Sequence, residues 1–566
     1  MKTYQNQFSI VSIAGICLII LGTFNSACKK NFTGTVEDTS VNRSFSPSGL
    51  SISTNRDSAK FKWTAPLYAL KGLTYTLELS TDSLFGKTDY SVTVDTVKAL
   101  FIDPQIKLNT PYFTRVRANA FDGRNASSYL YAPRSFRLNG QQYLRVVRDF
   151  EVTPNSVLIH WFINDQTKDL TNITFTPASG NAINTTLAAA DVTAGLKNIT
   201  GLTPGTRYTV QLLAGSKSKG LTSITTPEAP VYTTILSSGG NLAAAITAAA
   251  NGDVIGLNPG TYNLTSINYI TQKSITIRST SNNPRDTKIN SRELDLSGDG
   301  AGLTLVGVEV NGNYSGTSYG STFLILVGSQ ATTNLAATFG NVRIDNCIIH
   351  DYTRCVFIGN LGVTANAQKI GTIGFNNSIF YNIDQANTSG YYMFSMEKLE
   401  FKSFAISKST LYNMGEGLIN ISTALAAPAN LAAAPVITID YSTFNGIAGN
   451  TKYAFMDANT NLVTFNFNNS IVANTPLSGS VNSTAIRASN TQNALSFSNN
   501  NYFKLNITPG GSALSLTGLA QNNNQRIDLG WTVATTNFFL TPTSTNTPIF
   551  SASSNGSTIG DPRWAY

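Results

Sequence analysis

The chain has 566 residues, which is enough for several domains with their own cores. Charged residues make up only 12% of it and hydrophobic residues 42%, so Ser, Thr, Asn and Gly must cover much of the surface, as in extracellular all-β proteins. The net charge of +8 would suit an acidic partner such as a uronate polysaccharide, although a mildly basic surface explains it more simply. No basic helix or recognition motif is present, so nucleic acid is not expected as a partner.

The N-terminus predicts export. Lys2 precedes an apolar run over residues 8–24, and the small residues Ser26 and Ala27 come directly before Cys28. This order resembles the lipobox of a bacterial lipoprotein, which implies that Cys28 is lipidated and becomes the first mature residue. An ordinary signal peptide and a membrane anchor are the alternatives.

Two sets of short alternating strands follow the N-terminal region. The first contains Trp63 and the strand that begins near Tyr112, and the second contains Trp161 and the series Leu-x-Pro-Gly-x-x-Tyr at residues 202–208. The second spacing predicts a tyrosine corner, in which the phenol of Tyr208 bonds to the backbone upstream. Both sets resemble fibronectin type III modules, which usually serve as spacers.

An amphipathic helix is predicted at the start of the remaining chain. Leu242, Ile246 and Ala249 share one helical face, and Gly252 ends the helix before the strand-like residues 253–257. Such a helix covers the open first rung of a β-helix and prevents edge pairing. The series resembles the N-terminal cap of pectate-lyase-like right-handed β-helices.

Internal repeats support the same fold. The repeating segments begin at residues 303, 342, 373, 404, 437, 465 and 495, and each has an apolar strand, a turn with a small residue, and a second apolar strand. A period near 30 residues with short strands indicates a stacked solenoid rather than the larger blades of a propeller. The predicted fold class is therefore all-β, with two fibronectin type III-like sandwiches followed by a right-handed parallel β-helix.

The stretch VRIDNCIIHDYTRC at 342–355 looks like a metal site when it is read alone. In the repeat alignment, however, Cys347 falls in a column of serines and Asp351 in a column of asparagines, which indicates turn residues with structural roles. We therefore predict no metal site. A disulfide between Cys347 and Cys355 stays open, because sequence does not give the distance between them.

His350 aligns with Tyr381 and Tyr412 at positions where alternation points the side chain outward. The three rings are predicted to form an exposed ladder that could stack on sugar rings, which makes them candidate glycan-binding residues. The alternative is that they only stabilise adjacent rungs.

The resemblance to pectate-lyase-like proteins implies an Arg or Lys base and carboxylates that hold Ca²⁺, a cofactor expected only if the protein is a lyase. Two outward columns of the first strand, which begin at Thr304 and Val306, contain Arg343 and Asp345. Arg343, Asp345 and, two rungs away, Lys408 are weak catalytic candidates. A surface ion pair is the simpler interpretation of Arg343 and Asp345.

The predicted domains are a lipoprotein signal peptide at 1–27, a tether at 28–42, fibronectin type III-like modules at 43–140 and 141–230, and a β-helix at 235–566. This order, with STIGDPRW at 557–564, resembles surface β-helix lipoproteins of glycan-utilisation systems. The resemblance implies an outer-membrane lipoprotein, lipid-anchored at the cell surface, that binds a polysaccharide and could join a glycan-uptake complex. The alternatives are a polysaccharide lyase or glycosidase acting on a uronate-containing glycan, and an adhesin or structural surface protein.

Overall fold

The computed structural model of the protein describes residues 42–313, 323–328, 335–362, 368–386, 388–423 and 427–565. The predicted signal peptide, Cys28 and nearly all of the tether lie outside these residues. The described chain forms two compact units: the first takes the residues up to Leu144 with Ile163–Thr193 and Thr209–Ser223, and the second takes Arg145–Phe162, Ala194–Tyr208 and Ile224–Tyr566. None of the described helices is long and apolar enough to cross a bilayer.

The first module is an antiparallel β-sandwich. One sheet has the order β1-β2-β5 and contains β1 (Ser48–Thr54), β2 (Ser58–Thr64) and β5 (Lys98–Ile102). The other has the order β4-β3-β6-β7 and contains β3 (Tyr75–Ser80), β4 (Tyr90–Val94), β6 (Phe113–Ala118) and β7 (Leu130–Tyr131). Alternation along β2 buries Phe61 and Trp63 in the core, as the period of a half-buried strand requires.

The second module also has two sheets. One has the order β10-β9-β12-β13 and contains β9 (Asn172–Pro177), β10 (Ile183–Thr186), β12 (Arg207–Ala214) and β13 (Lys217–Thr225). The other pairs β8 (Ser156–His160) with β11 (Leu196–Thr200), and the helix α1 (Ala189–Ala194) precedes β11. The tyrosine corner is confirmed, because the Tyr208 hydroxyl accepts a 2.8 Å hydrogen bond from the Thr203 N–H. Tyr112 makes the equivalent bond with Lys107 in the first module.

The remaining strands form a parallel β-solenoid of about seven turns, as predicted. Its first sheet contains β14 (Thr234–Leu236), β15 (Val254–Leu257), β17 (Ser274–Ser279), β19 (Gly302–Val306), β22 (Ala337–Phe339), β23 (Val342–Asp345), β26 (Gln368–Asn376), β29 (Glu400–Ser407), β32 (Val436–Asp440), β35 (Thr464–Asn468), β38 (Ala494–Ser498) and β40 (Ala520–Asn522).

The other two faces of the solenoid are joined through long strands at its start. The long strands are β16 (Gly260–Thr271) and β18 (Thr287–Ser297). The second face contains β20 (Glu309–Asn311), β24 (Ile348–Tyr352), β27 (Ile379–Ile383), β30 (Thr410–Met414), β33 (Thr443–Ile447), β36 (Ile471–Thr475) and β39 (Asn501–Leu505). The third contains β21 (Phe323–Val327), β25 (Cys355–Ile358), β28 (Phe394–Ser395), β31 (Ile419–Asn420), β34 (Met456–Asn459) and β37 (Ile486–Ala488).

Short 3-10 helices punctuate the second unit, at Asp149–Glu151, Pro284–Asp286, Leu431–Ala433, Thr547–Ser551 and Pro562–Trp564. The only longer helix described there is α2 (Leu242–Ala248), which confirms the predicted helix but ends before Ala249, its extended C-cap, rather than at Gly252. Leu242 and Ile246 are buried in the solenoid core, and Lys273 Nζ donates to three carbonyls at the C-terminal end of α2. A cation is favoured at that end because it complements the helix dipole.

The register of the first sheet is the one predicted by the repeats. Paired residues follow the series Leu303, Val342, Ile373, Phe404, Ile437, Phe465 and Leu495. Because side chains alternate across a strand, this register sends every second residue into one continuous apolar core and the others outward.

The turn after the first sheet explains the serine column. The backbone N–H groups of Cys347, Ser378, Ser409 and Ser442 each donate to the serine hydroxyl one rung on, over 3.0, 3.1, 3.3 and 3.0 Å. The residue directly before each member of the column, including Ser470 on the next rung, has a positive φ between 46° and 52°; these residues are Asn346, Asn377, Lys408, Tyr441 and Asn469. The predicted asparagine ladder is also present, because Asn413 donates to Asn382 and Asn382 donates to Asp351, over 2.7 and 3.0 Å.

A C-terminal segment closes this side of the solenoid. The buried carboxylate of Asp561 accepts a 2.6 Å bond from Thr410, and Trp564 Nε1 donates to the same hydroxyl over 2.6 Å. Arg563 binds the carbonyl and the side chain of Asn377. Residues 561–564 therefore cover the turns of two consecutive rungs.

Replacing Ser409 by Ala should destabilise the solenoid by about 1–3 kcal/mol, because the buried Ser378 N–H loses its acceptor. The Ser409 hydroxyl also donates to the Ser407 carbonyl over 2.7 Å. The measurement is the free energy of unfolding in denaturant. Ser403→Ala is the control, since that hydroxyl makes only an exposed 3.3 Å bond, and it should change stability by less than about 0.5 kcal/mol. Equal losses in the two variants would contradict the role of the serine column.

Candidate functional site

Two predicted outward columns run along the first sheet as expected. Thr304, Arg343 and Gly374 are successive register partners in one column, and Val306, Asp345 and Asn376 are partners in the other. Arg343 and Asp345 therefore project from the same face of β23, two residues apart. The structure brings these two catalytic candidates together.

Sequence reasoning missed a third charged residue, Arg278. It pairs in register with Val306, which in turn pairs with Asp345. Arg278 thus lies in the Asp345 column, two rungs nearer the cap helix. Aligning the incomplete repeat SITIRST at 274–280 with the full repeats would have placed it there.

Both oxygens of the Asp345 carboxylate have partners. Arg343 Nη2 lies 2.5 Å from Oδ2, and Asn376 Nδ2 donates to Oδ1 over 2.9 Å. The Ser407 hydroxyl extends the chain of bonds by donating to Asn376 Oδ1 over 2.8 Å. The Arg343 side chain is 62% exposed, so its remaining N–H groups are available to a ligand.

A cleft of about 700 Å³ lies over this part of the first sheet, and we call it the arginine cleft. All its lining residues belong to the second unit. Its floor consists of outward side chains and turn residues of the solenoid, namely Val254, Thr276, Arg278, Asn282, Thr304, Val306, Arg343, Asp345, Asn346, Asn376 and Asn377. Its wall consists of Asp149, Phe150, Val152, Pro227, Pro230 and Val231.

Two arginines and two aspartates line the arginine cleft, and Lys408, which binds one of these aspartates, adds one further positive charge. Asp345 pairs with Arg343, and Asp149 pairs with Lys408, which lies at the cleft edge in the turn column. Within the described ranges of the chain, Arg278 has no ion-pair partner and its Nε is buried without a hydrogen bond. The cleft therefore offers an unmatched guanidinium beside a second, half-satisfied one. This arrangement can bind an anion.

The three catalytic candidates do not form one reacting group. Arg343 and Asp345 bind each other, whereas Lys408 is held by Asp149 at the edge of the cleft. A proton-abstracting base needs a free lone pair within reach of the substrate. Their catalytic role remains a prediction that this geometry does not favour.

The predicted aromatic ladder is present. The rings of His350 and Tyr381 are stacked with centroids 4.7 Å apart, and those of Tyr381 and Tyr412 with centroids 5.2 Å apart. Phe538 packs edge-on against Tyr412 with a centroid distance of 5.6 Å. Because the rings cover one another's faces, the ladder presents mainly ring edges outward.

The expectation that His350 is exposed was wrong, since only 5% of the residue is accessible. Its two ring nitrogens lie 2.8 Å from Asp351 Oδ2 and 3.2 Å from Glu309 Oε1. Burial alone would lower the pKa of His350, but hydrogen bonds and charge from Asp351 and Glu309 outweigh it and raise the pKa above 6.5. Hydrogen bonding to His350 lowers the pKa of Glu309. Burial would raise the pKa of Asp351, but its own hydrogen bonds with His350 and Asn382 outweigh burial and lower that pKa.

The two tyrosines of the ladder are half-buried. Together with Asn382, Asn413, Val533, Ala534 and Thr536 they line a small hollow of about 250 Å³. This hollow offers little flat aromatic surface for a sugar. The part predicted for His350, Tyr381 and Tyr412 in glycan binding stays a prediction.

Cys347 and Cys355 are both free thiols, so they do not form the disulfide that the sequence left open. Cys347 lies in the main solenoid core and Cys355 in a separate cluster with Phe323 and Ile358. Burial raises the pKa of the Cys347 thiol to about 12. Among the residues that the structure describes, no three His, Cys, Asp or Glu side chains are grouped to hold a metal.

Comparison with known proteins adds a family match. Residues 260–414, which are less than half of the chain, match a family described as a domain of unknown function, DUF4957. No curated protein matches the chain.

Solved structures resemble parts of the chain at low scores. A two-domain fibronectin type III segment of chicken tenascin is 17% identical, covers 32% of this chain and 99% of its own, and has a TM-score of 0.16. The PL6 family alginate lyase AlyGC is 15% identical, with coverages of 62% and 46% and a TM-score of 0.33. Chicken CNTN1 FN1–FN3 is 15% identical, with coverages of 33% and 69% and a TM-score of 0.15. These scores carry no functional inference, which leaves the function to the site itself.

The contribution of His350 to stability should depend on pH. A histidine whose folded pKa exceeds its unfolded value stabilises the fold fully below the unfolded pKa, and this contribution is lost as pH rises through the folded pKa. His350→Gln should therefore cost about 1–3 kcal/mol near pH 6 and clearly less near pH 9. Glu309 and Asp351 remain ionised at both values, because their pKa values are lowered.

The measurement is denaturant unfolding at the two pH values. Tyr381→Phe is the control, because it keeps the stacked ring, and its effect should not change with pH between the two. A loss of stability from His350→Gln that is the same at both pH values would contradict the ion-pair assignment.

Proposed function

We propose that the protein binds an anionic, uronate-containing polysaccharide in the arginine cleft. The observation that carries the proposal is Arg278, whose guanidinium lines the cleft beside Arg343 without a counter-ion in the described chain. Guanidinium groups bind carboxylates through two parallel hydrogen bonds, which gives direction as well as charge. The net charge of +8 favours the same class of partner.

The spacing of the two arginines suits a polymer. Arg278 on β17 and Arg343 on β23 are separated by one intervening strand, β19. Adjacent strands lie about 4.8 Å apart, so the two side chains start about 10 Å apart along the solenoid axis. A chain that carries a carboxylate on successive sugars can meet both arginines, whereas a single small acid meets only one.

The proposal includes the location predicted from the sequence. An apolar run at residues 8–24 and the order Ser26, Ala27, Cys28 support a lipid anchor at the outer membrane. There the protein would display its solenoid to glycans at the cell surface, within a glycan-utilisation system.

A polysaccharide lyase or glycosidase remains the enzymatic alternative, and an adhesin without a glycan ligand is the other. Incubation with alginate and polygalacturonate, followed by ultraviolet absorbance, detects the unsaturated product of a lyase, and a reducing-sugar assay detects hydrolysis. Retention on immobilised uronate without either product supports binding. If the protein shows no retention and forms no product, the proposal is overturned and the adhesin is favoured.

Replacing the cleft arginines should weaken polysaccharide binding. Arg278→Ala and Arg343→Ala should each raise the Kd for a uronate polymer about threefold to tenfold, because each removes one charge-assisted contact. Calorimetry or affinity electrophoresis measures the change. Arg292→Ala is the matched control, since Arg292 is an exposed solenoid residue outside the cleft. Equal weakening by all three variants would indicate non-specific charge attraction.

The aromatic ladder provides a test between two glycan sites. A sugar stacked on the ladder would be lost from a Tyr381→Ala, Tyr412→Ala double variant. We place the glycan in the arginine cleft, so this variant should keep the wild-type Kd within about twofold while unfolding more readily. Loss of binding by a double variant whose circular dichroism is unchanged would move the site to the ladder.

A further inference from the structure

The first module carries an unusually exposed apolar loop. Leu67 is 74% exposed and Tyr68 is 80% exposed, and Leu70 and Phe45 beside them are 43% and 45% exposed. The rings of Phe45 and Tyr68 lie 6.4 Å apart, so the residues form one patch. We call these four residues the apolar tip. A clustered apolar patch of this kind usually marks an interaction surface, whereas single exposed residues do not.

The apolar tip lies at the end of the module where the chain enters. Ser48 at the start of β1 pairs with Thr64 at the end of β2, directly before the loop that contains Leu67 and Tyr68. Asn42, the first described residue, donates to the Gly123 carbonyl at the same end. The tip and the entering chain therefore share one pole of the sandwich.

The chain leaves the first module at the opposite pole. The Gly140 N–H donates to the Arg56 carbonyl over 2.7 Å, and Arg56 lies in the turn between β1 and β2. The apolar tip therefore lies at the pole where the chain enters at Asn42, opposite the pole where it leaves at Gly140.

Basic side chains surround the apolar tip. Arg43 and Lys71 lie within two residues of the patch in sequence, and Arg124 lines the same shallow depression. Leucine and aromatic side chains that project from a basic rim suit the interface of an anionic lipid bilayer.

The short length of chain between Cys28 and the first module favours the membrane as the partner of the apolar tip. Only residues 29–41 separate Cys28 from Asn42. A segment of that length spans at most about 50 Å even when fully extended, so an anchor at Cys28 keeps the start of the first module within that distance of the bilayer. Such tethering raises the local concentration of the tip at the membrane, and weak contacts then suffice.

We propose that the apolar tip docks into the headgroup region of the membrane that anchors the protein. This inference rests on the proposed lipid anchor but not on the proposed glycan. Docking at this pole would hold the first module against the membrane in one orientation, whereas an anchor alone would leave its orientation unrestricted.

The test uses the full-length lipidated protein reconstituted in vesicles that contain phosphatidylglycerol, with and without brominated lipid. Tyr68→Trp, and Leu67→Trp as a second reporter, should show emission shifted to shorter wavelength and loss of intensity with brominated lipid. Leu84→Trp is the control, since Leu84 is 86% exposed in the loop after β3, at the far end of the same module. The signal of the four native tryptophans is subtracted with the wild-type protein.

Flotation of the same vesicles separates the outcomes. Protein that floats, with quenching at position 67 or 68 but not at 84, supports docking. Protein that floats without quenching at 67 and 68 overturns docking and leaves the anchor intact, in which case a second copy or another part of this chain covers the tip. Protein that does not float overturns the anchor and docking together, while polysaccharide retention, measured separately, is unaffected.

Discussion

Each turn of the solenoid depends on the next rung for its hydrogen bonds. A backbone N–H that turns inward between two strands has no ladder partner and no water, and leaving it unpaired is costly. The serine hydroxyls satisfy these groups, as Ser378 does for Cys347 and Ser409 does for Ser378. Because each hydroxyl needs its neighbour at a fixed height, the rungs cannot slip, and the outward side chains form straight columns.

The columns explain how residues about 30 positions apart come to share one surface. Arg278 and Asp345 lie in one column, with Arg343 in the column beside it. The pairs Arg343–Asp345 and Lys408–Asp149 neutralise the carboxylates at and near the cleft. Charge that remains on Arg278 is therefore available to a ligand, and its partial exposure avoids the large desolvation cost of a buried ion.

Alternation and repetition made the register of the first sheet predictable, along with the serine and asparagine columns and the cap helix. Both signals are local or strictly periodic, so sequence contains them. The wall of the arginine cleft was not predictable, because Asp149 and Phe150 reach it by packing over a long sequence distance. The burial of His350 was missed for a related reason. Strand alternation predicts which way a side chain points, but it does not predict that Glu309 from the previous rung binds the ring and covers it.

The closure by residues 561–564 has a consequence for how the solenoid folds. Asp561 bonds to Thr410 across 151 positions, and Arg563 bonds to Asn377 across 186. A stacked array whose contacts are confined to neighbouring rungs can nucleate anywhere and extend like a zipper. Contacts of such long range delay completion, since the middle rungs stay uncovered until a much later part of the chain arrives. The closure thus converts a repetitive, locally assembled stack into a cooperative domain.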